Sequence, residues 1–315
     1  MLARTYVYRL SISNILIVLI IIGFSFLLHN RFDNNSLFTK EYLIKNFNPK
    51  VIFSGDSRAA RHLNPRYVID NTNYIDGEIV NIAINSGDPL MIENLIEKYP
   101  HKFIDSTLII SISDNQLNDN AKKVGYFSNS MISKLDYYTQ LKIFLPNNID
   151  TLLKYYRHNF KIIVYNMIGK KLKKNEFVSS YGFDEINENF DSNNFSIENV
   201  KRNPWYINYQ NKNKIKINLL KKSLRNIKSK VKNLYVYSAP YSPKFTETIQ
   251  NTKYYKIVTS MLKSLSVLCG ESKIKYKSYA FDSRFENEHF YDSSHLNAEG
   301  AKLFTKIVMN DVGQF

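Results

Sequence analysis

Cysteine is nearly absent from this chain, because Cys269 is the only one among 315 residues. A single cysteine excludes an internal disulfide framework and a metal cluster held by thiolates. Cys269 follows an apolar run and precedes a glycine, which favours a buried thiol at the end of a helix. The lone cysteine leaves the cellular compartment open.

Acidic residues are few relative to basic ones, with 28 Asp and Glu against 43 Lys and Arg and a formal net charge of +15. The chain also contains 23 tyrosines and 20 phenylalanines. Such a composition could serve nucleic-acid binding, since lysines neutralise phosphates and aromatic rings stack on bases. No recognition motif accompanies the charge, so we interpret it as a general compositional bias and predict no nucleic-acid partner.

The most hydrophobic part of the chain is residues 10–28. A helix of about 19 residues matches the thickness of the bilayer's hydrocarbon core. Arg4 and Arg9 precede it, so the positive-inside rule places the N-terminus in the cytoplasm and the rest on the far side. A cleaved signal peptide is the alternative, but no small-x-small cleavage pattern follows Leu28. We predict that residues 1–30 form a cytoplasmic tip and an uncleaved, single-pass membrane anchor.

A polar linker is predicted for residues 31–48, with a short helix near 39–45, and one α/β domain for residues 49–315. Short apolar runs, rich in β-branched and aromatic residues, alternate there with helical patterns, as in a parallel sheet covered on both faces. The predicted fold is a three-layer α/β/α arrangement. The runs are 51–53, 79–84, 107–112, 234–237 and 274–281, and the helices begin at Pro89 or cover 215–231, 254–268 and 297–309.

The region from about 120 to 210 interrupts this alternation and is rich in Asn, Lys, Tyr and Phe. We interpret it as a partly helical insertion over the carboxyl edge of the sheet, where long insertions are often lids or partner surfaces. It contains a lysine run at 170–174, which a solvated face explains and contact with anionic lipid or polysaccharide would also explain.

Ser57 is the predicted nucleophile. It follows the apolar run 51–53 within a small polar turn, and open α/β sheets place reactive groups at the carboxyl ends of their strands. A serine hydroxyl needs a base to remove its proton, and the base is best held by a carboxylate. Asp56 is expected to support the turn by hydrogen bonding rather than to join the chemistry.

Among the six histidines, His295 is the best candidate for that base. It lies between the last predicted strand and the last predicted helix, and Asp292 precedes it by three residues. The carboxylate can therefore orient Nδ1 and leave Nε2 for the serine. His289 is kept as a reserve, and His62 is expected to point elsewhere along the helix that follows Ser57. The others, His29, His101 and His158, lack a marked partner.

At these residues the chain resembles the SGNH (GDSL-type) hydrolases, a superfamily of esterases, lipases and acyltransferases with a flavodoxin-like parallel sheet. Gly55-Asp56-Ser57 looks like the first family block, with Ser57 matching the nucleophile. Asp292-Ser293-Ser294-His295 looks like the last block, with Asp292 and His295 completing the triad.

The two middle blocks of that family supply the oxyanion hole, and here they match less closely. In the second block, Gly87 lies one residue later than the commonest spacing, so either Gly87 or Ser86 would supply the amide. In the third block, either Ser113 replaces the usual asparagine or Asn115 reaches in from two residues on.

The resemblance implies a membrane-anchored serine esterase or O-acyltransferase that needs no metal or organic cofactor. Anchored members often modify cell-envelope polysaccharides beside a multispanning membrane acyltransferase, so acyl esters and polysaccharide are the implied substrates. The first alternative is a catalytically inactive member that acts as a binding or assembly subunit. A binder of nucleic acid or anionic surfaces is a further hypothesis, raised by the charge.

Overall fold

A computed structural model describes residues 37–85, 87, 89–117, 180–202 and 214–314. We number the elements within these residues. The strands are β1 (Val51–Ser54), β2 (Ile79–Asn81), β3 (Thr107–Ser111), β4 (Asn233–Ser238) and β5 (Lys275–Ser278). The helices are α1 (Leu37–Asn46), α2 (Ser57–His62), α3 (Pro65–Asn71), α4 (Pro89–Lys98), α5 (Pro100–Phe103), α6 (Ile197–Arg202), α7 (Lys214–Lys228), α8 (Pro243–Ile249), α9 (Lys253–Glu271) and α10 (Ala298–Asp311). Short 3₁₀ helices cover Asp114–Leu117, Ser192–Asn194 and Asn287–His289.

The five strands form one parallel sheet in the order β2-β1-β3-β4-β5. Val51 pairs with Ile79 on one side of β1 and with Thr107 on the other. The chain therefore leaves β1 in one direction toward β2 and later returns on its other side as β3. Such a reversal opens a crevice at the carboxyl ends of the strands, and Ser57 follows the end of β1.

Helices cover both faces of the sheet, as predicted. Ile52 and Leu108 belong to a buried cluster that includes Leu224 of α7 and Leu265 of α9. Phe53 and Ile109, one residue further along the same strands, belong to a second cluster with residues of α10. Consecutive strand residues point to opposite faces, so strands buried on both sides need continuous apolar runs.

Some element boundaries differ from the predictions. β2 ends at Asn81 rather than at residue 84, although Ile82 and Ile84 still donate their N–H groups to the carbonyl oxygens of Phe53 at 2.8 Å and Gly55 at 3.2 Å. β5 is shorter than the run 274–281 and lies at the open edge of the sheet, where Lys275, Lys277 and Ser278 are exposed and Tyr276 is half-buried. The last helix begins at Ala298, with Asn297 as its N-cap.

Part of the segment assigned to the linker is a packed helix. α1 covers the predicted short helix near 39–45, and its Leu43 and Ile44 are fully buried in the core. Lys40 of α1 is also fully buried and donates to the carbonyl oxygens of Asn81 at 3.3 Å and Gly182 at 2.6 Å. Apolar burial and these hydrogen bonds make α1 part of the α/β structure.

Much of the predicted insertion lies outside the described residues, as do the lysine run at 170–174 and the predicted anchor at 10–28. Residues 180–191 are described and form an irregular segment, which we call the strap. The strap joins the two halves of the candidate site: Asp184 donates its N–H to Ala60 of α2, and Ile186 accepts the N–H of Ala298 of α10. Within the part of the chain that the structure describes, none of the helices is long and apolar enough to cross a membrane.

Candidate active site

The turn after β1 positions Ser57 through close backbone packing. Gly55 has φ +130°, and a Cβ added there would lie 2.5 Å from the carbonyl oxygen of Ser111 on β3. Asp56 then caps α2 by accepting the N–H of Arg58 at 3.1 Å, as expected for a supporting role. Ser57 is the first residue of α2, half-buried at the carboxyl edge of the sheet.

Ser57, His295 and Asp292 form a continuous hydrogen-bonded chain. The Oγ of Ser57 lies 2.9 Å from Nε2 of His295, and Nδ1 of His295 lies 2.8 Å from Oδ2 of Asp292. The other carboxylate oxygen of Asp292 accepts the N–H groups of Ser294 at 2.7 Å and His295 at 2.9 Å. The fold thus brings together two residues that lie 238 positions apart in the sequence.

The surroundings of Asp292 keep its carboxyl group ionised. Burial raises the pKa of this group, but the hydrogen bond and charge of His295 and the two backbone amides outweigh it and lower the pKa to about 2. A carboxylate in this position accepts the Nδ1–H of neutral His295 and leaves Nε2 as the acceptor for a serine proton. The three residues can therefore carry out proton transfer from the Ser57 hydroxyl.

The loop that carries His295 is closed on itself and fastened to two helices. Tyr291 donates its N–H to the carbonyl oxygen of His295 at 2.8 Å, and Phe290 pairs with Leu296 in an antiparallel bridge. Leu296 in turn donates its N–H to Nε2 of His62 at 3.0 Å. Asn297 caps α10 by accepting the N–H of Gly300 at 3.0 Å. These contacts place His295 with little freedom opposite Ser57.

His62 is a residue of the site that sequence reasoning missed. It was expected to point elsewhere, but its ring is fully buried beside the His295 loop, with ring centroids of His62 and His295 6.2 Å apart. The local sequence holds no signal for this placement, because Leu296, whose N–H the His62 ring accepts, is 234 residues away. The reserve candidate, His289, accepts the N–H of Glu286 through Nδ1 at 2.9 Å instead.

The candidate oxyanion donors lie near the turn but are engaged elsewhere or are not described. The N–H of Gly87 donates to the carbonyl oxygen of Ile84 at 2.9 Å, and Gly87 packs directly against the carbonyl of Gly55. The hydroxyl of buried Ser113 donates to the carboxylate of Asp56. Asn115 lies in the 3₁₀ helix Asp114–Leu117, and its side chain is outside what the structure describes, as is Ser86 altogether.

A buried polar cluster, also missed from the sequence, lies directly after the nucleophile. Arg58, Asp114 and Tyr241 are all at least 96% buried. The guanidinium of Arg58 donates to the Tyr241 hydroxyl at 2.9 Å, and that hydroxyl donates to Asp114 at 2.5 Å. Nη1 of Arg58 lies 3.8 Å from Oδ1 of Asp114, so the buried positive and negative charges compensate each other. The cluster ties α2 to the ends of β3 and β4.

Among the described residues, no group of three or more His, Cys, Asp or Glu side chains is arranged to hold a metal ion. The single cysteine, Cys269, is buried in α9, as predicted, and burial raises the pKa of its thiol to about 12.

Comparisons with known proteins give only distant likenesses. No protein-family model matches the chain, and no curated protein matches it. One similar solved structure is a provisionally assigned platelet activating factor from Streptococcus pneumonia, with 10% identity and a TM-score of 0.41, covering 96% of this chain and 98% of that one. Another is a provisionally assigned acylhydrolase from Bacteroides fragilis, with 9% identity and a TM-score of 0.39, covering 86% and 88%. Likenesses this distant carry no weight in assigning the function, which is argued from the geometry of the site.

Proposed function

We propose that this protein is a serine esterase or O-acyltransferase that uses Ser57, His295 and Asp292 as its catalytic triad. One observation carries the proposal, namely the chain of hydrogen bonds of 2.9 Å and 2.8 Å from Ser57 through His295 to Asp292. The nucleophile and base of a triad are recognised by this geometry rather than by their spacing in the sequence.

In the proposed reaction, His295 takes the hydroxyl proton while Ser57 Oγ forms a bond to the ester carbonyl carbon. The imidazolium faces Asp292, whose low pKa keeps it negatively charged. The proton then passes to the departing alcohol as its bond to the acyl carbon breaks. Water or a sugar hydroxyl then attacks the acyl carbon and gives its proton to His295, which passes it to Ser57 Oγ as the bond between Oγ and the acyl carbon breaks.

The oxyanion would be held by the N–H of Ser57 together with a donor from the second block. Gly87 would have to release Ile84 before its N–H could serve, and Ser113 would have to release Asp56. Ser86 and Asn115 remain proposed donors. Loss of one oxyanion donor typically lowers kcat by about 10²–10³-fold. The value of kcat should therefore depend strongly on whether these donors become free.

The test is hydrolysis of an acetyl ester by the purified full chain. Replacing Ser57 by Ala removes the attacking oxygen, so we expect kcat to fall by about 10⁴-fold or more. Ser260→Ala is a matched control, since it changes an exposed hydroxyl on α9 outside the site and should keep most of the activity. Equal activity of wild type and Ser57→Ala would exclude Ser57 as the nucleophile.

A second candidate function is an inactive binding or assembly subunit of the same fold. The engagement of Gly87 with Ile84 and of Ser113 with Asp56 favours it, because both proposed donors already have partners. A fluorophosphonate probe separates the two candidates. An active triad predicts labelling of Ser57 in the folded protein and no labelling of Ser57→Ala, whereas an inactive subunit predicts no labelling of either.

We further propose that residues 10–28 anchor the enzyme in a membrane, with the α/β domain outside the cytoplasm and acting on acyl esters of cell-envelope polysaccharide. The apolar run, the preceding arginines and the family resemblance support this, and a multispanning acyltransferase is the proposed partner. A cysteine in place of exposed Asn251, in a Cys269→Ala background, should react with an impermeant maleimide applied from outside spheroplasts. Labelling only after lysis would exclude this topology.

A further inference from the structure

His62 connects the element that carries Ser57 to the loop that carries His295. It is the last residue of α2, five positions after Ser57, and its side chain is fully buried. Its Nε2 accepts the N–H of Leu296, the residue next to His295, at 3.0 Å. Its ring packs edge-on against the rings of Phe304 of α10 and of His295, with centroid distances of 5.9 Å and 6.2 Å.

We propose that His62 is a positioning residue, whose neutral imidazole holds the Leu296 amide and thereby fixes His295 at hydrogen-bonding distance from Ser57. The inference rests on the proposed function in one respect, since it takes His295 to be the base. The hydrogen bond itself is a property of the fold. A displacement of about 1 Å in a catalytic group can lower the rate about 10²-fold, so a contact one residue from the base has leverage.

The backbone of α2 is held independently of the His62 side chain. Asn81 donates to the carbonyl oxygens of Ala59 and Leu63 at 2.8 Å each, and Thr305 donates to the carbonyl oxygen of His62 at 3.2 Å. The side chain can therefore be changed while the helix end stays anchored. What the side chain adds is the bond to the histidine loop.

The surroundings keep His62 in the form that can accept this bond. Burial, followed by the charges of His295, Arg58 and Arg61, lowers the pKa of His62 well below its usual value. A protonated ring would present an N–H donor to the N–H of Leu296 and place a second cation beside the imidazolium of His295. The neutral ring with its proton on Nδ1 is the form that is compatible with both neighbours, because only then can Nε2 accept the Leu296 N–H.

Two substitutions separate the acceptor from the volume of the ring. His62→Gln can place its Oε1 near the position of Nε2 and keep the acceptor, whereas His62→Leu keeps comparable bulk and removes it. In the full chain we expect His62→Leu to lower kcat for an acetyl ester by about 10- to 100-fold with KM unchanged, and His62→Gln to retain kcat within about threefold. His101→Gln, at an exposed position of α5, is the matched histidine control.

A second measurement does not depend on activity. The Nδ1–H of His295, bonded to Asp292 at 2.8 Å, should give a resolved downfield proton resonance in the wild type. The proposal predicts that this resonance is lost or broadened in His62→Leu and kept in His62→Gln. If the wild type proves inactive on every ester, this arm still decides the positioning role. If His62→Leu does not fold, His62→Asn replaces it, because its shorter amide reaches the place of Nδ1 and not that of Nε2.

The proposal is overturned if the resonance and kcat of His62→Leu match those of the wild type. It is equally overturned if His62→Gln and His62→Leu lose the resonance and kcat to the same extent. The shape of the imidazole ring, and not its acceptor nitrogen, would then be the cause. Thermal unfolding of each variant shows whether a loss of kcat accompanies a loss of folded protein.

Discussion

Gly55 shows how one residue determines where the nucleophile lies. Its φ of +130° is in the region that L-residues with a Cβ rarely adopt, and the carbonyl of Ser111 leaves no room for a side chain. The chain must make this turn to pass from β1 into α2 with Ser57 at the first helical position. Packing and backbone conformation therefore explain why a glycine stands at position 55.

We predict that Gly55→Ala destabilises the protein by about 2 kcal/mol or more, because it combines an unfavourable φ with a steric clash. Denaturant unfolding measures the change in free energy. Gly270→Ala is the matched control, since Gly270 lies in α9 with no atom within 4 Å of an added Cβ. That variant should be neutral or slightly stabilising, and a similar loss in both variants would contradict the explanation.

At the scale of elements, apolar runs predicted the strands because the sheet is buried on both faces. Val51, Ile52 and Phe53 all lie at 0% exposure, so each position had to be apolar. Helix starts were also predictable where a local signal exists, as at Pro89 and Asn297. The role of Asn81 at the end of β2 was not predictable, since its side chain donates to the carbonyl oxygens of Ala59 and Leu63, and these contacts exist only in the folded turn.

Lys40 illustrates a contact between elements that has no local signal. It is a buried cation whose partners are carbonyl groups of β2 and of the strap, 41 and 142 residues away. A carbonyl oxygen left without its donor in the interior typically costs about 1–3 kcal/mol. Lys40 therefore fastens α1 and the strap to the sheet next to α2.

We predict that Lys40→Met lowers the free energy of unfolding by about 1–3 kcal/mol and increases proteolysis within the strap. Lys45→Met, an exposed position on the same helix, should change stability by no more than about 0.5 kcal/mol. Limited proteolysis with mass mapping identifies the cleaved segment. Unchanged cleavage within 180–191 in Lys40→Met would show that the strap is held by its other contacts.

For the whole molecule, the sequence predicted the parallel three-layer fold and a pairing of Ser57 with His295, but not the network that holds the pair. Alternating strands and helices indicate the fold class, and the family resemblance indicated the two end blocks. The contributions of His62, Arg58, Asp114 and Tyr241 depend on contacts between residues more than 100 positions apart, as in the bond from Tyr241 to Asp114. Such contacts arise from the strand order, which no local pattern encodes.

The stability of the whole protein should fall on acidification in two windows. The folded pKa of His62 lies well below its usual 6.5, so below that pH the unfolded chain binds a proton that the folded chain does not. Stability should then decline with a slope of up to about 1.4 kcal/mol per pH unit from this group. The pKa of Asp292 is lowered from 3.8 to about 2, so its stabilising contribution is complete above the higher value and is lost between the two.

The measurement is chemical unfolding of the full chain between pH 7.5 and pH 2, for wild type, His62→Gln and Asp292→Asn. His62→Gln should flatten the decline just below pH 6.5 and leave the lower window unchanged, because glutamine does not titrate. Asp292→Asn should flatten the decline in the lower window and leave the decline just below pH 6.5 unchanged. His101→Gln, which changes an exposed histidine of α5, should retain the wild-type curve. If His62→Gln instead follows the wild type throughout, then His62 takes up its proton in the folded state as readily as in the unfolded chain, and its neutrality cannot be what holds the Leu296 amide in place.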